Sequence, residues 1–342
     1  MSEFVLPFFL ALLVSAVLTF FIGRLAAKQG FVDFPSPRKV HKKPIPRLGG
    51  VAIFLSFWLL VFSLLRNFEP RLVGVFLGSV ILVIFGIIDD IKNLSPATKL
   101  LGQIAAILVV LFFGLGIDYL RTPFGNVFYF SQILSLFFTG LWILVLVNSM
   151  NFLDGLDGLA AGISTIAALI LFFLASRPPV SQWDLALMTI VLAGATLGFL
   201  LWNFNPASIF MGDSGSQFLG FMLAVLAVIA GGKIATALLV LGVPIFDAFW
   251  AILRRLFLGK SPFLADRQHL HHRLLSIGLP QRLAVIFLWV LALVFGVFAL
   301  LGNNPQEKIR AGLWLLAILF SLAFLLVLVE WKRGKRNARI SF

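Results

Sequence analysis

The chain has 342 residues, of which 61% are hydrophobic and only 12% are charged. Soluble domains typically contain about 25% charged residues, so the composition excludes an ordinary soluble protein and indicates that lipid is the main solvent. The absence of cysteine excludes disulfides, thiolate metal sites and cysteine nucleophiles. The excess of 27 Lys and Arg over 14 Asp and Glu does not predict nucleic-acid binding, because no basic soluble domain is present to hold nucleic acid.

Apolar stretches recur along the whole chain, and each approaches or exceeds the length needed to cross a hydrocarbon core of about 30 Å as a helix. They predict one domain over residues 1–342, an all-α integral membrane protein with a polytopic bundle of about 11 transmembrane helices. The first stretch follows Glu3 instead of a positively charged leader, so we expect it to be retained as an anchor. The predicted spans are residues 4–26, 49–66, 71–88, 98–116, 132–149, 158–176, 184–202, 214–231, 234–253, 283–301 and 310–331.

The basic residues predict the sidedness of these spans. Cytoplasmic loops are enriched in Lys and Arg, and the tail after Trp331 carries five of them. An odd number of spans then puts the N-terminus outside and the C-terminus in the cytoplasm, with 20 of the 27 Lys and Arg on the inner side. We expect the chemistry on that side, where the polar loops gather. These loops are residues 27–48, 89–97, 148–157, 203–213 and 254–282.

The first inner loop contains a basic turn from His41 to Arg47, with Lys42 and Lys43 side by side, directly before a span. A basic turn at this position anchors the loop on the inner side of the membrane. It is equally suited to contact a phosphate group. The residues alone leave this choice open.

The third span ends in two adjacent carboxylates, Asp89 and Asp90, where an apolar helix meets the cytoplasm. Neighbouring helical residues diverge by about 100°, so one can face a site while the other faces a neighbour or water. Ionisable groups near a bilayer are often functional, which favours a general base or a metal ligand. The alternative is a pair that only marks the membrane boundary.

The next inner loop, residues 148–157, holds Asn148, Asn151, Asp154 and Asp157. The first three are spaced by three residues, which places them along one face of a helical turn. Hard oxygen ligands of this kind suit Mg²⁺ or Mn²⁺ better than zinc. A calcium loop is the rival interpretation, but the segment lacks the Asp-x-Asp-x-Asp-Gly series and the terminal Glu.

The fourth inner loop starts at Asn203, passes Phe210 and ends at Asp213, which is followed by Ser214 and Ser216. An Asp beside small residues at a helix start can orient a metal. The free backbone N–H groups and the serine hydroxyls there favour an anion such as a diphosphate. The alternative is an ordinary helix N-cap.

The last inner loop contains Arg267, His269, His271 and His272, and so holds three of the four histidines. His-x-His-His is compatible with zinc, but no carboxylate or thiolate lies at the customary zinc spacing. We favour binding of a phosphate or sugar over zinc, with a solvated basic loop as the alternative. Asp247, near the inner end of the ninth span, is a candidate supporting group.

Together these motifs resemble the polyprenyl-phosphate N-acetylhexosamine-1-phosphate transferases, and the likeness covers nearly the whole chain in order. It is carried by Asp89-Asp90, residues 148–158, residues 210–216 and His269 to His272. The form His-Leu-His-His-Arg is similar to the branch that uses UDP-N-acetylglucosamine and undecaprenyl phosphate. The peptidoglycan branch, which transfers phospho-MurNAc-pentapeptide, usually shows Pro-Phe-His-His-His and ten spans.

The resemblance implies a role for each matching residue. It implies Mg²⁺, with Mn²⁺ as a substitute, held by Asp213 and Asn151. Asp89 and Asp90 would be the catalytic pair, close to the metal or the lipid phosphate. Phe210 would stack on uracil. Substrate contacts are implied for Lys42, Lys43, Asn148, Asp154, Asp157, Asn203, Phe210, Arg267, His269, His271 and His272.

The expected reaction transfers N-acetylglucosamine 1-phosphate from UDP-GlcNAc to undecaprenyl phosphate at the cytoplasmic face of the inner membrane and releases UMP. It would begin a cell-envelope polysaccharide of O-antigen, common-antigen or teichoic-acid type. The expected partners are the bilayer, the donor and the acceptor, with a homodimer as a candidate assembly and no nucleic acid. The rivals are the peptidoglycan transferase, a metal-dependent lipid phosphatase and a lipid transporter, which would carry mid-span ionisable groups and broken helices in both halves.

Overall fold

A computed structural model describes residues 2–35, 43–65, 69–121, 126–178, 180–231, 234–257, 259, 269–302 and 305–340. Within these ranges the chain is almost entirely helical. The helices are α1 (Val5–Lys28), α2 (Gly49–Leu64), α3 (Pro70–Lys92), α4 (Pro96–Phe112), α5 (Gln132–Leu153), α6 (Leu159–Ala175), α7 (Trp183–Asn203), α8 (Gly212–Ile229), α9 (Ile234–Val240), α10 (Gly242–Phe257), α11 (Leu270–Ser276), α12 (Gln281–Leu301) and α13 (Pro305–Ile340). A 3₁₀ turn, Ser2–Phe4, precedes α1.

Two short antiparallel hairpins complete the described secondary structure. Strand β1 (Val32–Asp33) pairs with β2 (Ile45–Pro46), with Val32 opposite Pro46. Strand β3 (Tyr119–Arg121) pairs with β4 (Val127–Tyr129), with Leu120 opposite Phe128. The first hairpin lies in the predicted inner loop 27–48 and brings the described part of the basic turn, Lys43 to Arg47, to the start of α2.

Seven of the described helices are long and apolar enough to cross a membrane: α1, extended by the 3₁₀ turn, α3, α5, α7, α8, α12 and α13. The apolar helices α2, α4 and α6 are shorter, and α9 with α10 forms a bent pair. The all-α polytopic architecture is therefore confirmed, and each predicted span coincides with one helix or with this pair. The count of eleven crossings and the orientation of the termini stay predictions.

The ninth span is not the continuous helix over residues 234–253 that the apolar stretch predicts. Helix α9 ends at Val240 and α10 begins at Gly242, with a bend of 78° between them. Pro244 explains the break, because a proline ring clashes with the carbonyl group four residues earlier, here that of Val240. Gly242 packs against Leu315 of α13, where a Cβ would collide with the leucine side chain.

Helix α8 is the centre of the bundle. Every residue from Ser214 to Val228 is buried, and 83% of its apolar stretch lies inside the protein, compared with 22% for α1 and for α13. The outer helices therefore present their apolar side chains to lipid, as is expected where the bilayer is the solvent.

Two glycines let neighbouring helices approach the first turn of α8. A Cβ at Gly50 of α2 would collide with the backbone of Gly215, and a Cβ at Gly86 of α3 would collide with the backbone of Ser214. Small residues permit such close approach of helix backbones. The approach of α3 brings the carboxylates that follow Gly86 to the N-terminus of α8.

Candidate active site

A cavity of about 750 Å³ lies where the ends of α3, α5 and α7 meet the start of α8 and the first hairpin. Its size is typical of a small-molecule site. Its walls combine carboxylates, basic side chains, an aromatic ring and loop backbone. The lining residues are Asp33, Lys43, Pro44, Ile45, Arg47, Asp90, Asp154, Gly155, Leu156, Asp157, Asn203, Asn205, Pro206, Ala207, Ser208, Phe210, Gly212, Asp213, His272 and Gln281.

The Asp90 carboxylate caps the N-terminus of α8. Its Oδ1 accepts a hydrogen bond from the Asp213 amide at 2.8 Å, and its Oδ2 accepts from the Ser214 amide at 3.2 Å and the Ser214 hydroxyl at 2.9 Å. The first amides of a helix lack intrahelical partners, and a carboxylate there is also stabilised by the helix dipole. Gly212, which has a φ of 75°, lies directly against this carboxylate, and a Cβ there would collide with it.

Lys99, in the first turns of α4, joins the other two carboxylates of the cluster. Its Nζ lies 2.6 Å from Asp89 Oδ2 and 2.7 Å from Asp213 Oδ2. The amide of Leu94 donates to the other Asp89 oxygen at 2.6 Å. Asp89 and Asp90 therefore diverge as adjacent helical residues should, yet both support the start of α8, one through Lys99 and the other directly.

The amides predicted on one face of α5 lie in its last turns and join the same cluster. The Asn148 side chain donates to Gln103 Oε1 at 2.9 Å and to its own helix at Leu144. Gln103 in turn approaches Gln217 at 3.4 Å. Asn151 donates to Ser216 Oγ at 3.0 Å, in the first turn of α8 after Asp213. Asn151 thus contacts the first turn of α8, which carries Asp213, while Asn148 supports the network from behind; the metal contact of Asn151 stays a prediction.

Asp154, which caps α5 and lines the cavity, is the carboxylate with the least compensation. No side chain or backbone group among the described residues donates a hydrogen bond to it. Burial raises the pKa of Asp154 well above its usual value, and the charges of Asp213, Asp90 and Asp157 raise it further, with only Arg47 opposing them. A carboxylate in this position favours a cation beside it.

The carboxylates and amides at this wall fit a magnesium site that is completed by substrate. Within the described part of the chain, no three His, Asp or Glu side chains converge on one point as a preformed metal site would require. Mg²⁺, however, is usually bound through one or two protein carboxylates together with substrate phosphates and water. Asp154 and Asp213, with the Asn151 amide between the helices, supply that kind of incomplete oxygen set.

Asp157 and Asn203 hold the loop after α7 against the loop after α5. Asp157 Oδ2 accepts from the Asn205 side chain at 2.8 Å and from the Ala207 amide at 3.1 Å. The buried Asn203 accepts from the Gly158 amide at 3.0 Å and donates to the Ile209 carbonyl at 2.9 Å. Both the oxygen and the nitrogen of the Asn203 side-chain amide therefore bond backbone groups. Its predicted substrate contact stays a prediction.

Phe210 lines the cavity at the end of that loop. Its backbone continues the first hairpin, because its amide donates to the Pro46 carbonyl at 2.8 Å and its carbonyl accepts from the Gly49 amide at 2.9 Å. These bonds fix the ring at the wall between α2 and the start of α8. The ring is placed where a nucleobase could stack on it.

The basic turn supplies cations to the opposite wall. Lys43 and Arg47 both line the cavity. The Arg47 guanidinium forms an ion pair with the buried Asp33 of β1 and donates to the Asp90 carbonyl at 3.4 Å. Lys42 lies outside the described residues, so its predicted contact is not tested.

Only one of the three histidines of the last inner loop lines the cavity. His272 lines the cavity, whereas His269 and His271 are only 6% and 1% exposed. Successive residues of α11 turn by about 100°, so a His-x-His-His run cannot present all of its rings to one ligand. Arg267 lies outside the described residues.

The structure therefore gathers Asp89, Asp90, Asn151, Asp154 and Asp213 at one place and adds groups that the motifs do not reveal. Lys99 and Gln103 lie inside the fourth apolar stretch, and Asp33 is a carboxylate of the first inner loop that pairs with Arg47 of the basic turn. A charged residue one turn inside an apolar helix is costly in lipid and is a functional-site hypothesis by default. That signal identifies Lys99; no comparable signal identifies Gln103.

Comparison with known proteins agrees with this geometry. The sequence profile described as glycosyl transferase family 4 matches residues 72–231. A probable undecaprenyl-phosphate N-acetylglucosaminyl 1-phosphate transferase of Bacillus subtilis is 36% identical over 99% of this chain and 94% of its own length. A decaprenyl-phosphate N-acetylglucosaminephosphotransferase of Mycobacterium tuberculosis is 37% identical over 86% of this chain and 83% of its own. An undecaprenyl-phosphate alpha-N-acetylglucosaminyl 1-phosphate transferase of Escherichia coli K12 is 30% identical over 96% and 90%.

Proposed function

Since the chain belongs to glycosyl transferase family 4, among the polyprenyl-phosphate N-acetylglucosamine-1-phosphate transferases, we propose that it transfers N-acetylglucosamine 1-phosphate from UDP-GlcNAc to undecaprenyl phosphate and releases UMP. The reaction takes place at the cytoplasmic face of the inner membrane and begins a cell-envelope polysaccharide. Both the lipid acceptor and the soluble donor can reach a cavity that lies at the ends of apolar helices.

One observation carries this proposal: the uncompensated Asp154 and the Lys99-bridged Asp213 share a cavity with Phe210 and with basic side chains. A nucleotide diphosphate needs a ring to stack its base, cations for its phosphates and oxygen ligands for the metal it carries. A cavity for a lipid phosphate alone would need no aromatic wall. The arrangement therefore favours transfer from a nucleotide over phosphatase action.

The donor would lie across the cavity. Phe210 stacks on the uracil, and Lys43, Arg47 and His272 approach the diphosphate and the amino sugar. Lys42 and Arg267 belong to the same basic segments and are proposed to join them. Asp157 and Asn203 hold the loop that carries Phe210, which makes them supports of the base pocket as well as parts of its wall.

Asp213 and Asp154, with Asn151, would hold Mg²⁺. When bound, Mg²⁺ neutralises diphosphate charge and stabilises the negative charge that develops on the leaving UMP. Lys99 keeps Asp213 in place from the other side, since its Nζ contacts the Asp213 oxygen at 2.7 Å. Asp90 fixes the first turn of α8 and thereby the backbone of Asp213.

In the chemical step, an oxygen of the lipid phosphate attacks the β-phosphorus of the donor. A new P–O bond joins the sugar phosphate to the lipid, while the bond from the β-phosphorus to the oxygen bridging to the α-phosphorus breaks. The electron pair of that bond leaves on UMP. The protein chiefly positions the two phosphates and stabilises charge, which is the usual protein contribution to phosphoryl transfer.

Two rival functions are less consistent with these observations. The named relatives carry N-acetylglucosamine in their names, which does not favour a phospho-MurNAc-pentapeptide donor. A transporter built from two halves would be expected to break one helix in each half, but the described residues contain a single bent pair, α9 with α10.

The direct test is a transfer assay with the purified protein, undecaprenyl phosphate and Mg²⁺. Radiolabelled UDP-GlcNAc, UDP-GalNAc and UDP-MurNAc-pentapeptide are supplied in turn, and lipid-bound label and UMP are measured. We expect labelled lipid and equimolar UMP from UDP-GlcNAc. Asp213→Asn should abolish turnover without unfolding the protein, whereas the exposed Asp184→Asn at the start of α7 serves as the matched control. Absence of labelled lipid with every donor would refute the proposal.

A further inference from the structure

A buried carboxylate on α10 organises the histidine segment. Asp247 is only 3% exposed. Its Oδ2 lies 3.0 Å from His269 Nδ1, and its Oδ1 accepts a hydrogen bond from the Leu270 amide at 2.7 Å. His271 Nδ1 lies 3.8 Å from the same Oδ2. We refer to Asp247, His269 and His271 as the Asp247 cluster.

The two imidazoles of the cluster lie against the end of α5. Their rings are nearly parallel, with an interplanar angle of 4° and centroids 5.7 Å apart. The His269 ring packs on Phe152 at 5.6 Å. A Cβ at Gly155 would lie 2.5 Å from His271 Nε2, so the ring rests directly on the backbone of that glycine. The cluster therefore contacts the segment on both sides of Asp154.

His271 is unsuited to bind a phosphate by charge in this arrangement. Both of its ring nitrogens are buried without a hydrogen-bond partner. The pKa of His271 is lowered to about 3, chiefly by burial and also by the nearby His272 and His269, against the opposing effect of Asp247. A neutral ring packed on the backbone of a glycine contributes to packing and not to charge-based binding. Of the three rings, only that of His272 lines the cavity.

We propose that Asp247 is a positioning residue: it holds His269 and His271 against Phe152 and Gly155, and thereby keeps Asp154 and Asp157 at the cavity wall. The chain of contacts runs from α10 through the two rings to the end of α5. That Asp154 and Asp157 serve donor and metal binding rests on the proposed function. The positioning of the segment does not depend on that function.

Hydrogen–deuterium exchange tests the positioning without any turnover. In Asp247→Ala the rings lose their hydrogen-bonded anchor, so we expect amides of residues 151–158 to exchange at least about 10-fold faster, while those of residues 213–220 stay within about 2-fold. The matched control is Phe249→Ala, an exposed residue of the same helix, which should change neither. Unchanged exchange over residues 151–158 in Asp247→Ala overturns the proposal.

Asp247→Asn keeps the test usable if the alanine variant fails to fold. Its Oδ1 can still accept from the Leu270 amide, and its Nδ2 can donate to His269 after that ring changes tautomer. We expect the amides of residues 151–158 to exchange faster in this variant too, but by a smaller factor than in Asp247→Ala. If neither folded variant shows faster exchange over residues 151–158, the proposal fails.

A double-mutant cycle with Gly155→Ala separates positioning from general destabilisation. The added methyl group displaces the His271 ring from Gly155. Both substitutions therefore disturb the same contact between His271 and Gly155, and their effects should not add. We expect each single variant to raise the KM for UDP-GlcNAc and the Mg²⁺ half-saturation about 10-fold, with the KM for undecaprenyl phosphate unchanged. In the double variant, the KM for UDP-GlcNAc and the Mg²⁺ half-saturation should rise no more than about 2-fold beyond those of the worse single variant. Fully additive losses, or an equal change in the lipid KM, would overturn the proposal.

The two readouts also distinguish failure of the inference from failure of the proposed function. If the wild-type protein transfers no sugar phosphate but Asp247→Ala still accelerates exchange over residues 151–158, the positioning role stands and the transferase assignment falls. If the wild type is an active transferase and exchange is unchanged, the positioning role falls alone.

Discussion

Replacing Lys99 by methionine should separate metal binding from turnover. The Lys99 ammonium lies 2.7 Å from Asp213 Oδ2, where the Coulomb attraction at an effective dielectric constant of about 20 is about 6 kcal/mol before desolvation is subtracted. Removing one partner of a buried pair typically costs about 3–5 kcal/mol. Because the Lys99 side chain is 30% exposed, we take the lower end, about 3 kcal/mol. We expect this loss to fall on the transition state, where Asp213 must keep its position, and it then corresponds to about a 100-fold loss of kcat/KM.

The same substitution should move the metal dependence in the opposite direction. Without the ammonium, Asp89 and Asp213 are left with uncompensated negative charge, so the variant should reach half-saturation at lower Mg²⁺ than the wild type. Initial rates of lipid labelling at varied Mg²⁺ measure both quantities, with the exposed Lys92→Met as the control and Lys99→Arg as the charge-preserving variant. A Lys99→Met enzyme with wild-type kcat/KM would refute this account of the cluster. So would an enzyme whose half-saturation requires as much Mg²⁺ as the wild type, or more.

Three further predictions follow from neighbouring contacts. Asp90→Ala removes the cap of α8 and should lower the free energy of unfolding by about 2 kcal/mol, measured as a fall in Tm in detergent, while Asp90→Asn should lose less. Since the pKa of His271 is lowered from 6.5 to about 3, the folded state binds fewer protons than the unfolded one between these values, so stability should fall by up to about 1.4 kcal/mol per pH unit as pH drops below 6.5. His271→Gln should flatten that pH dependence, and an unchanged slope would contradict it. Phe210→Ala should raise the KM for UDP-GlcNAc by about 5- to 100-fold, because base stacking on an aromatic ring is worth about 1–3 kcal/mol, and Phe210→Trp should restore it.

The apolar stretches predicted the architecture well because span length and burial in lipid constrain the sequence strongly. The bend between Val240 and Gly242 was missed, since a stretch that remains apolar through Pro244 looks continuous by hydropathy alone. A proline breaks a helix through local effects, namely the clash of its ring and the loss of its N–H donor. Where the bend then directs α10 depends on packing against α13, which sequence pattern does not encode.

The site was predicted in part for a related reason. Clustered motifs such as Asn148 to Asp157 are visible in one stretch of sequence; in the structure Asp154 and Asp157 of this stretch line the cavity, while Asn148 and Asn151 bond the helices behind it. For Lys99 the sequence offers only the signal of a charge inside an apolar stretch; its partner Asp213 is 114 positions away and only the fold reveals it. The sequence locates the histidines but does not orient them, because His271 and His272 diverge by about 100° on a short helix, and only the packed structure shows that the His272 ring lines the cavity.

The bonding of Asp89 and Asp90 also bears on the number of chemical steps. A covalent path would need one of these carboxylates to attack the donor phosphorus with an oxygen that is free to approach in line. Asp90 instead accepts three hydrogen bonds from the start of α8, and the Asp89 oxygens are held by the Leu94 amide and by Lys99. Attack by either would sacrifice the contacts that place Asp213.

A lipid phosphate needs no such help, since it is already largely ionised near neutral pH and is itself the nucleophile. We therefore expect direct displacement in one step. With UDP-GlcNAc and Mg²⁺ but without lipid acceptor, the enzyme should release no UMP, and labelled UMP should not exchange into UDP-GlcNAc. Release of one UMP per enzyme, or exchange of the label, would require a covalent intermediate and would mean that one of these carboxylates leaves its partners during turnover.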